Sequence, residues 1–278
     1  MEEFEVATLE VESRGRLEVY YEEEGAGEPL VMVGGLTATV EVWGKLRGLL
    51  AADYRLVMPD NRGTGRTKAH QDDGDRAPAR MAEDLLGLVD GLGLDSFHLM
   101  GGSYGGTIAL AFAVKFPGRL KSLIVACSHF GGAEKVAPAP GVRETRARGG
   151  APDATEVERR AALETLFHPE TIDERPEVVA FYDGFKRRFP ISKEEIERRS
   201  EGMAAFDVAE EIRTLRVPTL VISGEADVLV PTENSRRMAG RIPGAELVIV
   251  ENTGHHFYSE RPEAAAAAIL AFLKRQSS

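Results

Sequence analysis

Residues 97–107 read FHLMGGSYGGT, in which glycines join a strand-like apolar run to a helix-forming run that begins at Thr107. Ser103 stands in the middle, on what must be a sharp strand-to-helix turn with a strained backbone. Gly101 and Gly105 leave out the side chains that so tight a turn cannot hold, and the strain lifts the serine oxygen clear of the sheet. The simpler interpretation is a glycine-rich connection in which Ser103 caps the helix.

The composition is that of a globular protein. Of 278 residues, 43% are hydrophobic and 28% charged, which suits one α/β domain or a core with an insertion. A net charge of −11 argues against a nucleic-acid partner. The N-terminus has neither a basic region nor an apolar leader, and no apolar run reaches membrane-spanning length, so we predict a cytoplasmic protein that does not bind membranes. The single cysteine, Cys127, is predicted to be buried.

Strand-like and helix-like runs alternate along most of the chain, which predicts a mostly parallel sheet covered by helices on both faces. Residues 4–33 alternate polar and apolar side chains and predict a β-hairpin followed by a third strand. The later predicted strands are 55–58, 97–100, 120–127, 217–223 and 246–250. The predicted helices are 80–91, 104–116, 154–166, 176–188, 192–213, 233–241 and a closing helix from 262.

The alternation stops in residues 132–214, a stretch rich in Arg, Glu, Pro and Ala with helical patches. This stretch is too long for a simple loop in a compact domain. We therefore predict a core of residues 1–131 and 215–278. Residues 132–214, here called the inserted segment, are predicted to lie over the carboxyl ends of the strands, where open α/β sheets bind ligands.

A serine hydroxyl becomes a good nucleophile when a base takes its proton and a third group holds that base. Asp227 follows one late predicted strand, and His255 follows the last one. Ser, Asp and His in this order, each after a strand, predict a catalytic triad of Ser103, Asp227 and His255. Two neighbours stay open as alternatives, Glu225 for the acid and His256 for the base.

With these residues in place, the chain resembles the α/β-hydrolase superfamily over nearly its whole length except the inserted segment. The motifs that carry the resemblance are Gly34-Gly35-Leu36, Asp60-Asn61-Arg62-Gly63-Thr64-Gly65, Gly101 to Gly105, Gly224-Glu225-Ala226-Asp227, and Gly254-His255 with Glu260-Arg261-Pro262. The resemblance implies an α/β-hydrolase fold, with a mostly parallel eight-stranded sheet flanked by helices and a helical cap insertion. Jointly the motifs are specific for the fold and say little about the substrate.

The resemblance also implies roles for individual residues. Ser103 would be the nucleophile, His255 the general base and acid, and Asp227 the group that orients the histidine. The backbone N–H groups of Leu36 and Tyr104 would form the oxyanion hole. Such a donor is typically worth roughly 10²–10³ in rate.

Four further residues are candidates for the pocket: Gly35, Gly102, His129 and His256. Members of the family often carry a histidine where this chain has Gly34 and where it has Gly102. Neither position performs the chemistry, so the resemblance implies an intact triad with an altered pocket floor.

The resemblance implies a cofactor-free serine hydrolase that cleaves a small carboxylic ester or lactone with water, through an acyl-enzyme. Proline iminopeptidases are a near alternative, although residues 33–37 lack their usual His-Gly-Gly-Pro-Gly. Acyl transfer, including perhydrolysis, and a non-catalytic ligand receptor on the same scaffold are the others. Haloalkane dehalogenases and epoxide hydrolases fit less well, because they use aspartate where Ser103 stands. The sequence has no spacing typical of metal ligands and no dinucleotide-binding glycine motif, so no metal or cofactor is expected.

Overall fold

In the computed structural model, which describes residues 5–276, nine strands form one sheet. The strands are β1 (Glu5–Glu12), β2 (Arg16–Glu24), β3 (Pro29–Val33), β4 (Arg55–Pro59), β5 (Lys68–Ala69), β6 (Phe97–Gly102), β7 (Leu120–Ala126), β8 (Thr219–Gly224) and β9 (Glu246–Val250). Residues 1–4 and 277–278, which the predicted core includes, lie outside the described residues.

Most of the predicted α-helices begin and end within about two residues of their predicted bounds; one is shorter, and four further helices were not predicted. They are α1 (Gly44–Ala51), α2 (Pro78–Gly91), α3 (Tyr104–Lys115), α4 (Val142–Gly149), α5 (Glu156–Glu164), α6 (Pro169–Glu174), α7 (Pro176–Arg188), α8 (Lys193–Ala204), α9 (Glu233–Arg241), α10 (Phe257–Glu260) and α11 (Pro262–Lys274). Short 3-10 turns lie at Val40–Trp43, Pro117–Arg119 and Glu211–Thr214. None of the helices between residues 5 and 276 combines the length and the apolar character needed to cross a bilayer.

The strand order is β1-β2-β4-β3-β6-β7-β8-β9, with β5 paired to β2 beside this path. β2 is antiparallel to β1, β4 and β5, and the pairs from β4 through β9 are parallel. The predicted mostly parallel sheet is therefore confirmed. The two-residue β5 is an addition to the eight strands that were predicted.

Helices cover both faces of the sheet, and the central strand β6 is buried on both. On one face Leu99 shares an apolar cluster with Ile108 of α3. On the other face Met100 shares a second cluster with Leu50 of α1 and Ile269 of α11. Successive side chains of a strand point to opposite faces, so one continuous apolar run can supply both clusters.

In the inserted segment one predicted helix is shorter than expected, and two further helices were not predicted. The predicted helix 192–213 ends with α8 at Ala204 and resumes only as the 3-10 turn Glu211–Thr214. Between them the Val208 N–H donates to the Phe130 carbonyl at 3.0 Å, so the backbone leaves the helix to bond to the loop after β7. The helices α1, α4, α6 and α10 were not predicted, because four to eight residues give too little periodicity to recognise.

Parallel strands bring their carboxyl ends to one edge of the sheet. The loops after β3, β6, β8 and β9 therefore meet there, and they carry Leu36, Ser103, Asp227 and His255 respectively. This edge is where ligands bind in open α/β sheets.

Candidate active site

Ser103 lies between β6 and α3 in a backbone conformation that L-residues rarely adopt, with φ 55° and ψ −118°. A Cβ on Gly101 would lie 2.1 Å from the Gly105 carbonyl oxygen, and a Cβ on Gly105 would lie 2.1 Å from the Val33 oxygen. The Ser103 N–H continues the sheet by donating to the Ala126 carbonyl at 2.8 Å. Residues 101–105, here called the serine turn, thus need glycine on both sides of the serine.

Three side chains form a hydrogen-bonded chain at the carboxyl edge of the sheet. His255 Nε2 lies 3.0 Å from Ser103 Oγ, and His255 Nδ1 lies 2.7 Å from Asp227 Oδ2. The other Asp227 oxygen accepts from the Leu229 and Val230 N–H groups, which fixes the orientation of the carboxylate. The histidine and aspartate side chains are almost fully buried, which strengthens these interactions.

The two alternatives, Glu225 and His256, point elsewhere. Glu225 is exposed, and one of its oxygens accepts from the Asn252 N–H at 3.2 Å. The His256 ring is buried, its Nδ1 lies 3.0 Å from the Tyr258 hydroxyl, and burial holds its pKa well below the usual range. The hydrogen-bonded chain therefore uses Asp227 and leaves both alternatives out.

Residues 34–38, here called the oxyanion loop, pass directly beside the serine. A Cβ on Gly35 would lie 3.3 Å from Ser103 Cβ, so glycine lets the backbone approach the serine closely. The Ala38 N–H donates to the Gly35 carbonyl at 3.2 Å, which makes a turn with Leu36 at its first central position. Tyr104 is the first residue of α3, and the first N–H groups of a helix have no partner within the helix.

Gly102 and His129 are the remaining pocket candidates. Gly102 ends β6, and a Cβ there would lie 3.3 Å from the Trp43 ring. His129 is half-buried after β7, where its Nδ1 accepts from the Gly131 N–H at 3.2 Å, and burial lowers its pKa to about 4. Cys127 is buried as predicted, and burial raises its thiol pKa well above the usual value.

Glu260 supports the loop that carries His255, a role that the sequence did not reveal. One of its oxygens accepts from the Gly254 N–H at 2.7 Å. The other accepts from the His168 N–H at 2.8 Å and the Thr171 hydroxyl at 2.7 Å, and both of these belong to the inserted segment. Burial raises the pKa of the Glu260 carboxyl. The signal was its place in the Glu-x-Pro motif, whose spacing alone does not show what the carboxylate binds.

Across residues 5–276 no group of three or more His, Cys, Asp or Glu side chains is arranged to hold a metal ion.

Comparison with known proteins places this geometry in a family. The family model described as "alpha/beta hydrolase fold" matches residues 28–262. The "Putative carbamate hydrolase RutD" of Caulobacter sp. (strain K31) is 30% identical over 259 residues, which cover 90% of this chain and 92% of that protein. A 2-hydroxy-6-oxononadienedioate/2-hydroxy-6-oxononatrienedioate hydrolase of Pseudomonas putida is 29% identical, over 93% and 92%. A solved thermophilic esterase from Thermogutta terrifontis is 28% identical with a TM-score of 0.80, over 98% and 100%. The chain therefore belongs to the α/β-hydrolase fold family and is a hydrolase of that class.

Proposed function

We propose that this protein is a serine hydrolase that cleaves a small carboxylic ester or lactone through an acyl-enzyme intermediate. The observation that carries the proposal is the hydrogen-bonded chain from Ser103 through His255 to Asp227, with the serine on a strained turn beside Gly35. The relationship to an esterase of 28% identity supports the same class of substrate.

In the acylation step His255 Nε2 accepts the Ser103 proton while Oγ attacks the substrate carbonyl. Asp227 holds Nδ1–H and stabilises the imidazolium that forms. The carbonyl oxygen becomes an oxyanion that accepts hydrogen bonds from the Leu36 and Tyr104 N–H groups. The imidazolium then gives its proton to the leaving alkoxide, and the acyl group stays on Ser103.

In the deacylation step the same groups act on water. His255 takes a proton from water, the hydroxide attacks the acyl carbonyl, and the oxyanion forms again in the same place. When the tetrahedral intermediate collapses, the imidazolium returns the proton to Ser103 Oγ and the carboxylic acid leaves. A lactone follows the same path, with its alkoxide still attached to the acyl group.

The proposal includes a cap formed by residues 132–214. The rings of Phe167 and Tyr182 from this segment pack on the His256 ring, with centroids 5.2 and 4.9 Å away. The His256 N–H donates to the Leu166 carbonyl at 3.1 Å. These contacts support a segment that lies over the site and supplies the walls of the acyl and alcohol pockets.

The test combines labelling with turnover. We expect a fluorophosphonate to label Ser103 stoichiometrically, as located by peptide mass spectrometry, and p-nitrophenyl acetate to give a burst of nitrophenolate. Ser103→Ala should abolish labelling and lower kcat by about 10⁶-fold, because the nucleophile is lost. Ser96→Ala, at an exposed serine just before β6, is the matched control and should leave both unchanged. Absence of label on Ser103 in the native protein would contradict the proposal.

A carbamate is the second candidate substrate, since the relative from Caulobacter is named as a carbamate hydrolase. The same serine would then carry a carbamoyl group. A panel of p-nitrophenyl acyl esters, lactones, carbamates and proline arylamides, each with and without hydrogen peroxide, ranks these chemistries by kcat/KM. The proposal is supported if an ester or lactone in water has the highest kcat/KM. It is contradicted if the highest kcat/KM belongs to an arylamide, or to a reaction with peroxide as the acceptor. Tight binding of a ligand with negligible turnover would instead support a receptor.

A further inference from the structure

Arg199, on helix α8 of the inserted segment, reaches into the core without any exposed side-chain surface. Its Nη1 donates to the Leu36 carbonyl of the oxyanion loop. Its Nη2 donates at 2.6 Å to both the Arg62 carbonyl and the Thr64 hydroxyl. Its guanidinium carbon also lies 5.7 Å from the centre of the Tyr104 ring. One side chain of the inserted segment therefore touches both residues whose N–H groups would hold the oxyanion.

The turn at residues 60–65 forms the socket for this arginine. Gly63 has a φ of 74°, and a Cβ there would lie 2.4 Å from a carboxylate oxygen of Glu195, so only glycine leaves room for that carboxylate. The turn also reaches the oxyanion loop directly, because Asn61 Nδ2 donates to the Gly34 carbonyl at 3.0 Å. The turn at residues 60–65 thus seats the inserted segment against the oxyanion loop.

Glu195 supplies the opposite charge that a buried guanidinium requires. It accepts from Arg199 Nε at 2.8 Å and from Arg76 Nε at 2.7 Å. The Arg76 carbonyl in turn accepts from the Tyr104 hydroxyl at 2.6 Å. The network therefore contacts Tyr104 twice: Arg199 lies beside its ring, and the Arg76 carbonyl accepts from its hydroxyl.

The contact with Leu36 acts on the central peptide of the turn. The Leu36–Thr37 peptide is the central peptide of the turn closed by Ala38 N–H and Gly35 O, and its orientation is what distinguishes type I from type II turns. A hydrogen bond on the Leu36 carbonyl selects one orientation and so fixes ψ of Leu36. The Leu36 N–H belongs to the same residue, one Cα away from the peptide that Arg199 holds.

We propose that Arg199 is a positioning residue that holds the oxyanion loop, so that the oxyanion site is complete only when α8 of the inserted segment is seated. This inference rests on the proposed function. It assigns no contact between Arg199 and the substrate. Its role is to keep the Leu36 N–H aimed at the oxyanion that forms on an acyl group bound to Ser103.

The test uses Arg199→Gln, Arg199→Lys and, as matched control, Arg80→Gln. Arg80 is 1% exposed and pairs with Asp84 at 2.6 Å and Asp73 at 3.1 Å, so its loss removes an equally buried cation that touches neither oxyanion residue. The substrate is p-nitrophenyl acetate, which is uncharged, so recognition of a substrate charge does not contribute. A trifluoromethyl ketone that forms a tetrahedral adduct measures binding of the transition-state geometry.

For Arg199→Gln we expect kcat to fall by about 10²-fold, similar to the loss of one oxyanion donor, with a much smaller change in KM. The affinity for the trifluoromethyl ketone should fall by the same factor as kcat/KM. Arg199→Lys keeps the charge facing Glu195 but has no planar fork for the acceptors, so stability should recover more than kcat does. Arg80→Gln should lower the unfolding midpoint and leave kcat and ketone affinity near their native values.

If Arg199→Gln does not fold, Thr64→Val serves instead, because it removes only one acceptor of Arg199 and keeps the shape of the side chain. We then expect a smaller fall in kcat and ketone affinity in the same direction. The inference is overturned if the Arg199 variants and Arg80→Gln lower stability and kcat in equal proportion while ketone affinity stays unchanged. Failure of the proposed function is a separate result, seen as absence of fluorophosphonate label on Ser103 in the native protein.

Discussion

The serine turn and the oxyanion loop lie on two sides of the same serine oxygen, yet the chain holds them in different ways. The serine turn is held by its own strand and by the strands beside it, through close approaches at Gly101 and Gly105. The oxyanion loop is held by two side chains from far along the chain. Asn61 is 27 residues from Gly34, and Arg199 is 163 residues from Leu36.

In the proposed function, this difference separates the placing of the nucleophile from the stabilising of the oxyanion. The strands of the sheet, with α3 and the loop after β7, fix where Ser103 stands. The groups that would stabilise the oxyanion depend on the inserted segment as well, through Arg199 and Glu195. A change in the sheet should therefore damage the whole fold, whereas a change in the segment should damage the rate first.

The largest expected effect follows from Gly105→Ala in the serine turn. The new Cβ would lie 2.1 Å from the Val33 oxygen and 2.7 Å from the Gly34 oxygen, both of them backbone atoms that cannot move aside. We expect a loss of more than about 3 kcal/mol in the free energy of unfolding, together with loss of activity. Urea denaturation followed by circular dichroism measures it.

The matched control is Gly184→Ala in α7 of the inserted segment. A Cβ there meets no atom within 4 Å, so alanine should stabilise the helix by about 0.5–1 kcal/mol. Equal stability of the two variants would mean that the serine turn is not constrained by its neighbours as described.

An intermediate effect is expected from Gly63→Ala in the socket for Arg199. The new methyl group would displace the Glu195 carboxylate, which lies 2.4 Å from the position of that Cβ. We expect kcat to fall several-fold, with a smaller change in KM. Gly74→Ala is the control, because its φ of 75° matches the 74° of Gly63 and its nearest neighbour is 3.9 Å away. Both substitutions introduce a similar backbone strain, of about 1–2 kcal/mol.

A double-mutant cycle with Glu195→Ala tests the mechanism behind that expectation. If the methyl group acts by displacing Glu195, Gly63→Ala should lower kcat little further once the carboxylate has been removed. Additive losses in kcat would show that Gly63 acts independently of the inserted segment.

The smallest expected effect is a pH dependence at His256, where the inserted segment meets the loop that carries His255. Burial, with His255, Arg146 and Lys186 nearby, lowers its pKa in the folded state. The unfolded chain therefore binds more protons below about pH 6.5, and stability should fall with acidification by up to about 1.4 kcal/mol per pH unit from this group. Urea unfolding at several pH values between 7.5 and 5 measures the slope.

His256→Phe keeps a ring against Phe167 and cannot take up a proton, so its stability should depend less steeply on pH. His70→Gln, at an exposed position, should keep the native slope. Identical slopes for all three proteins would mean that protonation of His256 does not oppose folding.

Much of the fold follows from patterns that a single sequence displays. The short apolar runs around Leu99 and Leu220, bounded by glycines or proline, indicate buried strands, and the glycines around Ser103 indicate a tight turn. The short helices α1, α4 and α6 have too few turns for an apolar face to stand out. The end of α8 is set by a hydrogen bond between Val208 and Phe130, a contact that local sequence does not encode.

The residues of the candidate site also divide into those that the sequence predicts and those that only the fold reveals. Ser103, Asp227 and His255 each follow a strand in a recognisable motif, so their convergence could be expected. Arg199 stands in a run of alternating Glu and Arg typical of a solvated helix face, and only the fold shows that it is buried while Arg198 beside it is exposed. Long-range hydrogen bonds between a side chain and a backbone carbonyl leave no pattern in one sequence.

The strand order leaves β9 as an open edge, at the far end of the sheet from β1. An edge strand offers unpaired backbone groups to other chains, and β9 is apolar, with Leu247 36% exposed. β9 has only five residues, and Glu246 at its start forms an ion pair with Arg275, just after α11. Both features limit the length of edge with which a strand of another chain could pair. Together with the net charge of −11, these features oppose edge-to-edge aggregation. The sheet can therefore remain open at β9 rather than close into a barrel.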